Sequence, residues 1–356
     1  MRYGLRLLLL AVLSSGAACG NNAGTGGDGG GGGGDGGGGG GDGGGGGGGG
    51  DGGGGGGGDM AVAPGTFSVS IGPFALAAGQ ELTMCSIVKL PISTDVDVVR
   101  IQTTLAPGSH HLIVYRSAAT AEAAPTACSS FDGVQKGEAP IFIAESASST
   151  MQLPTAVAYH LTAGSFVRLE AHYLNSSPNA VMGMGSVQFS PGPTGVTYQA
   201  ADIMMCGSVK SLTKPFQGVP VGQSTLPAGF YNGGGNVDFT KLKVFAFTSH
   251  EHSRGTDVKV WKSAANTDPN PAAPLFDNPS WDNPPLQSYT DNNLLSFGPG
   301  EGLQWQCSYD NNMTNNPSNK TLYFGESAAT NEMCFIWAYY FPSVGRFIST
   351  TDCWAN

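Results

Sequence analysis

Positive charge is scarce in this sequence. Lys and Arg together number 16 in 356 residues, against 26 Asp and Glu, for a net charge of −10. No cluster of basic residues exists to meet a run of phosphates, which excludes nucleic acid as a partner. Long apolar stretches are also missing. After Leu13 nothing approaches the roughly 20 apolar residues that a membrane-spanning helix needs. None of the seven cysteines has CxxC spacing, which argues against a zinc–thiolate centre. No segment keeps a 3.6-residue apolar period, so long helices are not expected.

Glycine, by contrast, is abundant, and most of it lies in one place. Asn21 to Asp59, within a segment 20–63, is almost pure glycine interrupted by Asp28, Asp35, Asp42, Asp51 and Asp59. Such a stretch has nothing to bury and predicts a disordered tether with an r.m.s. reach of roughly 35 Å. Before it, residues 1–19 read as a bacterial-type signal peptide: Arg2 and Arg6, the apolar run Leu7 to Leu13, then Gly16-Ala17-Ala18 and Cys19. That ending resembles a lipobox, with Cys19 as the lipidated residue. The expectation is an exported protein, an outer-membrane or cell-surface lipoprotein and otherwise periplasmic or secreted, that touches membrane only through this anchor. Setting aside the two arginines and five aspartates leaves −7 for the folded body.

The body, from residue 64 onward, repeats short runs rich in Val, Ile, Phe, Tyr and Thr. Val98–Thr103, Leu112–Tyr115, Phe166–Leu174, Val181–Phe189, Leu242–Thr248, Val258–Trp261 and Phe335–Phe341 are separated by Pro, Gly, Asn and Ser. This pattern predicts an all-β protein of two tandem β-sandwich domains, 64–193 and 194–356, divided at the Pro-Gly-Pro stretch near Ser190 to Gly195. Asn266 to Asn283 reads as a long surface loop. Besides Cys19, six cysteines remain, and an even count in an exported chain predicts disulfides.

Six histidines carry the chemistry. His250-Glu251-His252 closes the apolar run Val244 to Phe247; on a strand, residues i and i+2 share a face, so both imidazoles can reach one metal while Glu251 points away. His110-His111 are neighbours, which face opposite ways on a regular strand. Pro107-Gly108-Ser109 supplies an irregular backbone that would let both serve one ion, with His172 available as a third ligand. Each pair alone also fits ordinary polar residues at a strand end. His160 has no suitable neighbour and reads as a surface or hydrogen-bonded structural histidine.

Four stretches follow one another in an order and spacing that resembles the copper type II, ascorbate-dependent monooxygenases. They are His110-His111-Leu-Ile-Val-Tyr115, Leu169-Glu-Ala-His172-Tyr-Leu-Asn175, Phe245-Ala-Phe-Thr-Ser-His250-Glu-His252, and Asn331-Glu-Met333-Cys334 with Tyr339-Tyr340. The resemblance implies two jelly-roll-like domains with two coppers facing each other across a water-filled cleft. His110, His111 and His172 would hold an electron-transfer copper, and His250, His252 and Met333 the copper that activates oxygen. It implies O₂, a small-molecule substrate and ascorbate or another one-electron reductant. It also pairs Cys85 with Cys128 and Cys307 with Cys334, leaving Cys206 for Cys353. A thioether selects Cu(I), and neutral imidazoles suit a metal cycling between two charges, whereas zinc favours carboxylate or thiolate company and gains little from a thioether. Thr248 stands where the peptide-amidating members have an arginine, and Phe335 and Trp337 replace polar residues, which points to an apolar or aromatic substrate. The competing functions are a non-catalytic copper lipoprotein, a zinc hydrolase and a carbohydrate-binding jelly roll. No pattern specifies an oligomeric state.

Overall fold

The computed structural model describes residues 65–349 apart from 235–236, 265–273, 313 and 315. The leader, Cys19, the glycine tract and Cys353 lie outside the described residues. Residues 62–356 form one compact unit, built almost wholly of strands. The two described α-helices have four residues each, Asp132–Gln135 and Val209–Leu212. Six of the seven apolar runs fall inside strands and the seventh, Leu242–Thr248, starts one residue before its strand; the strands include Val96–Leu105, Ser109–Ser117, Lys243–Glu251 and Cys334–Phe341.

These strands make two tandem jelly-roll-like sandwiches. In the first, one sheet orders Phe67–Leu76, Val181–Pro191, Val96–Leu105 and Val157–Leu161. The other orders Ala123–Ala127, Glu81–Lys89, Phe166–Leu174, Ser109–Ser117 and Pro140–Ala144. In the second, a sheet centred on Lys243–Glu251, Cys334–Phe341 and Asp202–Gly207 faces one centred on Gly255–Ser263 and Gly302–Asn311. Among the described residues two disulfides are present, Cys85–Cys128 and Cys307–Cys334, as the resemblance implies, and the expected Cys206–Cys353 pair involves a residue outside them. The loop expected from Asn266 to Asn283 is interrupted: Phe276–Asn278 is a short strand paired with Gly255–Ser263. Phe276 is buried there, so a single apolar anchor overrides the polar composition around it.

The sheet holding Cys334–Phe341 is buried on both faces. Phe335, Trp337, Tyr339 and Phe341 pack into the core cluster that contains the first sandwich, while Cys334, Ile336, Ala338 and Tyr340 pack into the second sandwich's own core. Ile203 and Met205 divide from Met204 and Cys206 in the same way. Period-2 alternation therefore sends alternate side chains into two different cores, and the strand reads as continuously apolar because neither face meets water. Tyr339 reaches across: its hydroxyl accepts the Ile143 N–H at 3.1 Å.

Candidate metal centre

Backbone irregularity brings the first three histidines together. Ser109–Ser117 pairs antiparallel with Phe166–Leu174, placing His111 directly opposite His172, and the register shifts between Ser109 and His111. His110 is the residue taken up by that bulge, so it escapes the alternation that would turn it from His111. Gly108, at φ +82°, makes the turn into the strand; a Cβ there would lie 3.0 Å from Val181. The ring centres of His110, His111 and His172 are 5.2–5.3 Å apart.

The second set comes from the other sandwich. His250 is opposite Phe335, so it lies on the face that looks into the first sandwich. His252 follows two residues on, and their rings are 5.1 Å apart. Met333 immediately precedes Cys334, which pairs with Glu251, so the register sets Met333 beside His252. Met333 is buried, and its carbonyl accepts the Tyr309 hydroxyl at 2.9 Å. Glu251 is also buried but belongs to no candidate ligand group among the described residues.

Here the structure departs from the facing coppers and open cleft that the resemblance implies. His250 lies 4.9 Å, centre to centre, from both His110 and His111, so the two ligand sets are in contact. Three groups have ligand atoms within 4.8 Å of one another: His110 with His111 and His172; His110 with His250 and His252; and His111 with Glu145 and His250. Apolar packing closes the gap. Phe131 meets Phe335 edge-on at 5.4 Å and Trp337 at a tilt at 6.1 Å, and its ring lies 6.0 Å from His250. Phe131 adopts φ +57°, uncommon for a bulky residue. Its N–H donates to Glu170 at 2.5 Å, which helps hold it there.

Carboxylates and carbonyls orient the rings. The His250 Nδ1 lies 3.1 Å from Glu145, His252 Nδ1 lies 3.2 Å from the Asn331 carbonyl, and His172 Nε2 lies 3.0 Å from Glu81. Glu81 also accepts the Ser327 hydroxyl and the Ala328 N–H, so it bridges the sandwiches. Burial alone would raise its pKa, but these hydrogen bonds outweigh it and bring Glu81 down to about 2. Burial, reinforced by neighbouring imidazoles, pushes His110, His111 and His252 well below the usual imidazole value and His250 down to about 3. Neutral imidazole is the form that binds a metal. Burial raises the Glu145 carboxyl well above its usual range, an effect that a nearby cation would oppose.

A metal fits this donor set. Six imidazole nitrogens, on His110, His111, His172, His250 and His252, are buried without a hydrogen-bond partner, a costly arrangement unless they serve as ligands. His160 lies elsewhere, exposed beside Asp95 and Asp97. Glu81, Glu145, Phe131 and Trp281, whose ring is 5.7 Å from His110, were not singled out from sequence. The one available signal was a lone acid closing an apolar run, as Glu145 closes Ile141 to Ala144.

Fold and site thus describe a β-sandwich protein with a buried cluster of histidines, able to hold a metal, at the junction of two sandwiches. Residues 201–353 match the family model for the copper type II ascorbate-dependent monooxygenase C-terminal domain, which spans the His250, His252 and Met333 set. No curated protein matches. Among solved structures, the major capsid protein P2 of bacteriophage PM2 is 9% identical with a TM-score of 0.28, covering 79% of this chain and 100% of that one. The Sulfolobus turreted icosahedral virus structure is 10% identical with a TM-score of 0.18, covering 77% of this chain and 56% of that one. Likeness at that level says nothing about activity.

Proposed function

We propose that the chain is a copper-dependent monooxygenase that hydroxylates a C–H bond of a small apolar or aromatic substrate, using O₂ and an ascorbate-like reductant. One observation carries this: five buried histidines with unpartnered nitrogens converge where the second sandwich, matched by the copper monooxygenase model, meets the first. His110, His111 and His172 would hold one copper, and His250, His252 and Met333 the other. Bound copper supplies one-electron steps and activation of O₂. In balance, one oxygen atom enters the C–H bond, the other leaves as water, and the reductant supplies two electrons with two protons.

The chain's own residues orient and exclude. Glu145, Asn331 and Glu81 each hold one ring nitrogen, leaving the opposite nitrogen toward the cluster. Phe131, Phe335 and Trp337 form an aromatic wall beside His250 that favours an apolar substrate and keeps water away. Thr248, paired with Trp337, offers no cation for a substrate carboxylate.

The test is metal analysis and EPR on protein purified in copper, followed by reductant-dependent oxygen uptake against a panel of aromatic compounds. Two coppers per chain and substrate-dependent uptake with a hydroxylated product are expected. Zinc in place of copper, or copper with no uptake for any substrate, would reject the proposal; the second result would indicate a non-catalytic copper protein.

A further inference from the structure

Glu145 is remote in sequence from every histidine of the centre, yet it lies inside it. It follows the strand Pro140–Ala144, whose Ala144 pairs with Leu112, so the same register continued by one residue brings Glu145 beside His111. Its Oε2 is 3.1 Å from Nδ1 of His250, and neither side chain has any exposed surface. Its Oε1 is buried without a partner, and Glu145 is the one carboxylate in the candidate ligand groups among the described residues.

A neutral imidazole has one proton for two nitrogens, and a carboxylate that ionises beside a bound cation can only accept. With the proton at Nδ1, facing Glu145, the Nε2 lone pair of His250 points into the cluster, where Nε2 has no other partner. The reverse tautomer would set a lone pair against the carboxylate and a proton against the metal. Since Glu145 belongs to the first sandwich and His250 to the second, the constraint acts across the junction.

We propose that Glu145 is a positioning residue of the copper centre: it accepts the Nδ1–H of His250 and so fixes that ring to bind copper through Nε2, completing the second sandwich's ligand set only where the first sandwich docks against it. The inference rests on the copper reading above and deepens it. A purely structural role makes a different prediction: a Glu145 that served only the fold would show its loss in the metal-free protein, where the buried Nδ1–H of His250 is left without an acceptor, and not selectively in copper binding.

The experiment compares wild type with Glu145→Leu and Glu145→Gln as full chains. Three quantities are measured: melting of the metal-free protein, copper affinity by chelator competition, and pulsed-EPR couplings of the remote imidazole nitrogens in the Cu(II) form. Metal-free melting should fall by no more than a few degrees in Glu145→Leu, while one of two coppers binds roughly 10–100-fold more weakly. The remote-nitrogen coupling of one imidazole should shift. Glu145→Gln, whose carbonyl oxygen still accepts the Nδ1–H, should recover most of the affinity and show a smaller shift. Unchanged affinity and couplings in Glu145→Leu would overturn the proposal, as would a metal-free protein that no longer folds in both variants. Wild-type protein that binds no copper would instead refute the function beneath it, a result distinct from either.

Discussion

Met333 is the single soft donor in the proposed ligand sets, and it is buried one residue before the strand Cys334–Phe341. Met333→Ile keeps size and apolarity, so it should cost less than about 1.5 kcal/mol in stability. Hydroxylation should fall by orders of magnitude while copper at His110, His111 and His172 stays bound and reducible. His172→Ala should leave the Met333 site loaded and stall turnover for want of the second electron. Copper stoichiometry and reductant-dependent oxygen uptake distinguish these outcomes, and wild-type rates in Met333→Ile would refute the assignment. His160, exposed beside two aspartates, provides the contrast. Its replacement by Ala should change neither copper count nor rate, and stability by no more than about 0.5 kcal/mol.

Two elements give the site its geometry: the bulge at His110 and the disulfide at the entry of Cys334–Phe341. Gly108→Ala places a Cβ at φ +82° and against Val181, which should cost roughly 1–2 kcal/mol. If the turn shapes the bulge, the same change lowers copper occupancy of the His110, His111 and His172 set; metal analysis with chemical denaturation reads both, and full occupancy would detach the bulge from the turn. Cys307–Cys334 closes 27 residues of sequence, worth about 3–4 kcal/mol in the chain-entropy description. Replacing both cysteines by Ser should lower stability by that order. Because Cys334 adjoins Met333, copper retention should suffer more at the second set than at the first. Peptide mapping that joined Cys334 to Cys206 or Cys353 would contradict the pairing.

For the whole molecule, the two sandwiches share one core through alternate residues of Cys334–Phe341, and the candidate metal centre sits at that junction. Glu81, Glu145 and Tyr339 add polar links across it. Removing copper should therefore lower the melting temperature of the entire body, since a ligand bound only by the folded form stabilises it by mass action. A calorimetric scan with and without chelator measures this, and identical transitions would dissociate metal from fold. At the N-terminus, we propose that Cys19 anchors the chain to a membrane. Mass spectrometry of the mature N-terminus should find a diacyl or triacyl cysteine; a free terminus at Gly20 or later would mean a secreted protein.

The all-β class and most strands were legible in the sequence because short Val, Ile, Phe and Tyr runs bounded by turn residues have few other ways to fold. The candidate histidines were legible for a local reason: HxH shares a face on a strand, and Pro107-Gly108-Ser109 announces the irregularity that HH requires. Local order cannot reveal partners brought in from afar. Glu81 and Glu145 carry no motif, and their pairing with His172 and His250 exists only once distant strands lie side by side. Phe276 anchors a strand inside what composition marks as loop, because one buried ring outweighs its polar neighbours. The closeness of the two histidine sets was likewise decided by tertiary packing. Which face of Cys334–Phe341 enters which core is a property of docking, and that docking, through Phe131, Phe335 and Trp337, makes one buried cluster of two histidine sets.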